Sequence, residues 1–183
     1  PPAMMLELRR RLAHLRRLGL ERTLRPRRTP VGVGLAFGRG KPLVNFCGND
    51  YLGLASHPAV RKAARAGISR WGWGSAASRL VTGTTEAHAR LERALAGFHG
   101  RPAALLYSMG YQANVGALSA LLTRDDLVFS DALNHASLID GCRLSGARIR
   151  VYRHGDLAHL EALLRGVRRR RRPWIVTDAV FSV

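Results

Sequence analysis

The chain has 183 residues, 46% hydrophobic and 23% charged, with 30 Lys and Arg against 12 Asp and Glu for a formal net charge of +18. That length supports a substantial core, and the composition excludes a disordered tail, a collagen-like repeat and a disulfide-stapled miniprotein. No run approaches the roughly 20 apolar residues that span a bilayer, so no membrane partner is expected.

The N-terminal stretch PPAMMLELRRRLAHLRR carries arginines where an export signal needs its apolar run. Two cysteines, Cys47 and Cys142, give no CxxC pair and read as small buried hydrophobes. The seven histidines include no HExxH, so no metal site is expected. A reducing, cytoplasmic setting follows as the expectation.

The positive charge invites a nucleic-acid reading, but its distribution weakens it. Residues 1–30 hold nine Arg and two Glu, and Arg165 with Arg168 to Arg172 forms a second basic cluster. The second cluster lacks interleaved aromatics for base stacking. Only two of the 30 basic residues are lysines, a bias that, with the abundant Ala and Gly, points to a GC-rich coding sequence. An arginine-rich nucleic-acid-binding domain is the rival reading; no nucleic-acid partner is expected.

Along the chain, Met5, Leu8, Leu12 and Leu15 recur at spacings of three and four, which predicts an amphipathic helix that Thr29-Pro30 breaks off. Val31 to Phe37 and Pro42 to Phe46 read as short strands, followed by the turn Cys47-Gly48-Asn49-Asp50. His57-Pro58 opens a helix through about Ser69, with Pro58 suited to its first turn. Trp71 to Arg79 is a loop of small residues, and Thr84 or Thr85 then caps a helix whose Leu91, Leu95 and Phe98 face inward.

The second half alternates. Strands are expected at Ala103 to Tyr107, Leu127 to Ser130, Arg148 to Tyr152 and Trp174 to Val180. Helices are expected at Tyr111 to Leu122, His135 to Leu144 and Leu157 to Arg165. Such alternation argues for an α/β domain with a largely parallel sheet. Ligands in such sheets bind beyond the strand carboxyl ends. The sequence stops just after its last strand, so it reads as a piece of a longer protein.

Three units carry chemistry. In Leu105 to Asn114 a strand passes through Ser-Met-Gly into a helix. The unpaired N–H groups of that helix start suit a phosphate, with Tyr111 beside them. In Ser130 to Asp140, His135 stands at a helix start, where an imidazole can stack on a planar cofactor, shuttle a proton or simply cap the helix. In Thr177 to Ser182 an acid and a hydroxyl follow a strand. Asn49 offers an amide to a substrate carboxylate, though turns also favour Asn for backbone reasons. Arg22 can meet an anionic substrate. His57, His88, His99, His154 and His159 read as structural or surface residues.

Taken in order, the segments NFCGNDYLGLASHP at 45–58, GSAASRLVTGTTEAHARLE at 74–92, YSMGYQAN at 107–114, SDALNHASLIDGCRLSGA at 130–147 and TDAVFSV at 177–183 resemble the α-oxoamine synthases. These are pyridoxal 5'-phosphate (PLP) enzymes of the fold-type I aminotransferase architecture. The resemblance implies residues 1–41 as an N-terminal helix and short strand, and residues 42–183 as the first part of the large PLP-binding domain. It implies that Gly110 and Tyr111 hold the cofactor, that His135 lies over its ring as a catalytic and substrate-binding group, and that Ser182 hydrogen-bonds it.

Asn49 would meet the amino-acid carboxylate and Arg22 the acyl substrate. The basic N-terminal helix, GSAASRLVTGT and VFSV point to the branch that condenses a pimeloyl thioester, pimeloyl-CoA or pimeloyl-carrier protein, with L-alanine; a glycine-using CoA ligase is the alternative. Members form homodimers. Neither Lys41 nor Lys62 falls in a matching segment, so the lysine and the acidic partner that PLP chemistry needs are expected downstream, and these 183 residues alone are expected to be inactive.

Overall fold

The computed structural model describes residues 2–167 and 173–181. Arg168 to Arg172 and Ser182 therefore lie outside the described residues. The chain groups into two compact units, Pro1–Ser78 and Arg79–Val183.

In the first unit, α1 spans Pro2–Arg17, and its stripe of Met5, Leu8, Leu12 and Leu15 stands exposed. The helix ends well before the expected Thr29-Pro30 break, because Gly19 takes a left-handed turn at φ 66° that an α-helix cannot continue. β1, Gly34–Leu35, pairs antiparallel with β2, Leu43–Val44, a ribbon shorter than the expected strands. Gly38 at φ 56° turns the chain between them. α2, Pro58–Trp71, starts as the sequence predicts: Pro58 sits in the first turn and the His57 ring accepts the Ala59 N–H at 3.2 Å. Cys47 is exposed, contrary to expectation, because it lies on the surface turn after β2.

The second unit contains α3 (Glu86–Phe98), α4 (Gly110–Leu121), β3 (Leu127–Asp131), α5 (Ala136–Ser145), β4 (Arg148–Tyr152), α6 (Leu157–Arg165) and β5 (Pro173–Val176). β3 is central and parallel to both neighbours, in the order β4-β3-β5, with Val128 opposite Ile149 and Trp174. The period of two along β3 divides the core between the two faces of the sheet. Val128 packs with Leu122, Cys142 and Val176, while Leu127 and Phe129 pack with Tyr152 and Leu160. Val128 and Phe129 are fully buried, and each contributes roughly 1.5–3 kcal/mol through the apolar surface it removes from water.

Three expectations are corrected here. Ala103 to Tyr107 forms no ladder, since it pairs with no strand among the described residues. Its Leu106 N–H donates instead to the Glu92 carboxylate at 2.9 Å, and its Leu106 carbonyl accepts from Arg79 at 2.9 Å. On α3, Leu91 and Phe98 are exposed, and Ala96 is the buried residue. β5 ends at Val176, where Asn134 takes over the Val176 carbonyl and releases the chain from the sheet.

Candidate active site

The site is built where β3 and β5 end. The carboxyl end of β3 leads through Ala132 and Leu133 to Asn134 and His135, and His135 is the residue that caps α5. Asn134 is buried and joins the two strand ends. Its Nδ2 donates to the Val176 carbonyl at 2.7 Å and to Ser130 Oγ at 3.0 Å, and its Oδ1 accepts the Asp178 N–H at 3.0 Å. Asp178 returns the contact: its Oδ2 accepts the His135 N–H at 2.8 Å. A buried amide serves here because the ends of a parallel sheet leave backbone groups that must find partners.

The tautomer of His135 follows from its neighbours. Nδ1 accepts the Ser137 N–H at 3.2 Å and lies 2.7 Å from Ser137 Oγ, which itself accepts from Asn114 Nδ2 at 2.9 Å. With that oxygen receiving from Asn114, its hydroxyl proton is directed to Nδ1, so the neutral ring carries its proton on Nε2. His135, Asn134, Asn114, Asp178, Leu133, Val180 and Phe181 line a cavity of about 300 Å³. It combines a protonatable ring, amides and a carboxylate with apolar walls, a lining suited to a planar ligand with polar substituents.

Gly110 begins α4, and a side chain there would meet nothing within 4 Å. Met109, at the capping position, makes no side-chain cap, which leaves the first-turn N–H groups of Gly110, Tyr111 and Gln112 without a protein acceptor among the described residues. The Tyr111 hydroxyl donates to Asp140 Oδ2 on α5 at 2.5 Å. That bond, with burial, raises the phenol above its ordinary range. The hydroxyl is thus committed within the protein, and the ring is what Tyr111 has to offer. The residue from α4 that lines the cavity is Asn114, one turn further on.

In the first unit, Asn49 lines a cavity of about 460 Å³ together with Arg27, Asn45, Asp50 and Ser56. Arg22 is exposed and is not among its lining residues; Arg27 is. Sequence reasoning assigned no role to Asn114, Asn134 or Arg27. The Asn-His pair at 134–135 was the available signal, since a polar residue between a strand and a capped helix start is placed to tie down strand ends.

Comparison with known proteins supports this reading of the fold. The family profile for aminotransferase class I and II matches residues 41–182, and the chain belongs to that family. Its architecture is that of the fold-type I PLP-dependent transferases. Superposition on a lysine-to-alanine variant of a serine palmitoyltransferase from S. paucimobilis with a bound PLP–myriocin aldimine gives a TM-score of 0.79 at 28% identity, covering 96% of this chain and 44% of that one.

Among curated relatives, the 8-amino-7-oxononanoate synthase of Methylococcus capsulatus is 61% identical over 144 residues, 79% of this chain and 37% of that protein. The 8-amino-7-oxononanoate synthase of Paracidovorax citrulli is 50% identical over 182 residues, 100% of this chain and 44% of that protein. The solved 8-amino-7-oxononanoate synthase of Francisella tularensis superposes with a TM-score of 0.63 at 33% identity, over 74% of this chain and 37% of that one. The chain thus spans about two fifths of the length of the curated relatives it matches.

The residues present fit PLP on two observations of this structure. The first turn of α4 presents uncapped N–H donors, which with the helix dipole suit a phosphate dianion. The cavity at His135 pairs a ring with apolar walls from Leu133, Val180 and Phe181, as a flat heteroaromatic requires. No described helix is long and apolar enough to cross a membrane.

Proposed function

We propose that the protein is a PLP-dependent acyltransferase that condenses a pimeloyl thioester with L-alanine, releasing carbon dioxide and the thiol carrier, to give 8-amino-7-oxononanoate. It acts in the cytoplasm as a homodimer. Residues 42–183 contribute to the cofactor-binding domain and residues 1–41 form an arm before it. The observation that carries the reading is the His135–Asn134–Asp178 network around the cavity at the ends of β3 and β5, in a chain 61% identical to an enzyme of that name.

When bound, PLP supplies an electron sink for a carbanion at the amino-acid Cα. The residues of this chain do the rest of the positioning. The first turn at Gly110 and Tyr111 receives the phosphate. His135 lies against the ring, its main chain held by Asp178 and its Nδ1 by Ser137, so that Nε2–H is the group offered to cofactor and substrate. Ser182, which the sequence resemblance assigns to the cofactor, lies outside the described residues. Asn49 orients the amino-acid carboxylate, and Arg22 meets the acyl substrate.

The test is an assay of free coenzyme A released from pimeloyl-coenzyme A by the intact protein supplied with PLP. Release that depends on L-alanine, and that falls about 100-fold or more in His135→Ala, is the expected outcome, in line with the loss of a positioned acid–base group. Release with glycine but not alanine would reassign the amino-acid substrate. No release with either, from folded protein loaded with PLP, would sink the reading.

A further inference from the structure

Asp131 ends β3 with its carboxylate buried, 4% exposed, yet it does not line the cavity. Its Oδ1 accepts the Leu133 N–H at 2.8 Å and lies 3.0 Å from His154 Nδ1. Burial by itself would push this carboxyl upward; the Leu133 N–H, His154 and the Gly155 N–H outweigh it and hold the group below its ordinary range. An ionised carboxylate only accepts hydrogen bonds, so His154 Nδ1–H is the donor and the plane of the ring is set from that side.

The same ring meets Phe181 nearly edge to face, with centroids 4.4 Å apart and an interplanar angle of 66°. Phe181 lines the cavity that His135 also lines. One imidazole therefore links the end of β3, the turn after β4 and the segment after β5.

We propose that His154 is a positioning residue for the cavity: anchored by Asp131, its ring holds Phe181 and so fixes the segment after β5 as a wall of the site. Asp131 needs only a hydrogen-bond donor, and many side chains supply one. The contact with Phe181 needs a ring, and that is the role a merely structural histidine would not have. The proposal rests on the reading that this cavity receives the ring of PLP.

The test uses the intact protein with PLP as the probe, its dissociation constant measured by equilibrium dialysis beside Tm. His154→Gln keeps a donor for Asp131 and removes the ring. It is expected to keep the wild-type Tm while the dissociation constant rises roughly three- to tenfold, the range of an edge-to-face ring contact. Phe181→Leu should weaken binding similarly, and the double variant no further than either single one. Wild-type affinity in His154→Gln overturns the proposal.

Should His154→Gln also lose Tm, His154→Phe decides, since it keeps a ring without a donor. Affinity closer to wild type than in His154→Gln supports the role, and equal loss in folded protein overturns it. If the wild-type protein does not bind PLP at all, the cofactor reading fails separately. The backbone order parameter of Phe181, from ¹⁵N relaxation, then decides the positioning claim: lowered in His154→Gln it stands, unchanged it falls.

Discussion

Arg79 and Glu92 show how a single pair shapes a segment that pairs with no strand among the described residues. Arg79 Nη1 donates to Glu92 Oε1 at 2.6 Å and to the Leu106 carbonyl at 2.9 Å, and the Leu106 N–H donates to the same carboxylate oxygen. The Arg79 hydrogen bond first, and the Leu106 N–H second, draw the Glu92 carboxyl down to about 2. A carboxylate whose folded value lies below its unfolded one stabilises the fold above the unfolded value, about 4.3, and that contribution is lost as pH falls toward 2. Glu92→Gln is therefore expected to lower Tm at pH 7 and to approach wild type between pH 4 and 2. Thermal melts across that range check it; a difference that does not change with pH would exclude the ionised pair as the cause.

At the scale of elements, the contact between α4 and α5 depends on Gly141. A Cβ there would stand 3.0 Å from Leu118 Cβ and 3.1 Å from the Asn114 carbonyl oxygen. Helix propensity favours Ala over Gly by about 1 kcal/mol. Neither neighbouring atom can rotate away, however, and overpacking of this kind costs about 1–3 kcal/mol. Gly141→Ala is expected to destabilise despite its propensity, and to disturb Asn114, whose amide holds Ser137 Oγ beside His135. Chemical denaturation decides the sign, and a stabilised variant would mean that α4 shifts freely.

The same scale shows how much the sequence announces. β4 and α6 have the bounds their patterns predict, because local groups end them: Gly146 turns at φ 74° before β4, and Asp156 caps α6 by accepting the His159 N–H at 2.8 Å. Ala103 to Tyr107 has the same apolar texture as β3 but pairs with no strand among the described residues, and a strand exists only with its partner. His135 was legible as a helix start after a strand. Asn134, 42 residues from Val176, and His154, 27 residues from Phe181, act through contacts that no local pattern encodes.

For the whole molecule, the apolar surface left open is the dominant physical fact. Leu80 is 99% exposed and Phe98 84%, with Trp73, Phe46 and Leu24 similarly open. Isolated exposed hydrophobes are ordinary on soluble proteins, but aromatic and aliphatic side chains this open, in both units, favour association. The surplus of positive charge opposes it, yet at physiological salt charges are screened beyond about 8 Å while apolar contact is not. The 183-residue chain on its own is thus expected to bind a hydrophobic dye such as ANS and to sediment as species heavier than its 20.1 kDa. Changing Leu80 and Phe98 together to Ser should reduce both signals. It should leave unfolding within about 0.5 kcal/mol of wild type, because side chains this exposed contribute little to the fold. Sedimentation velocity with and without the two substitutions decides it, and a dye-silent monomer before substitution would show that this surface does not drive association.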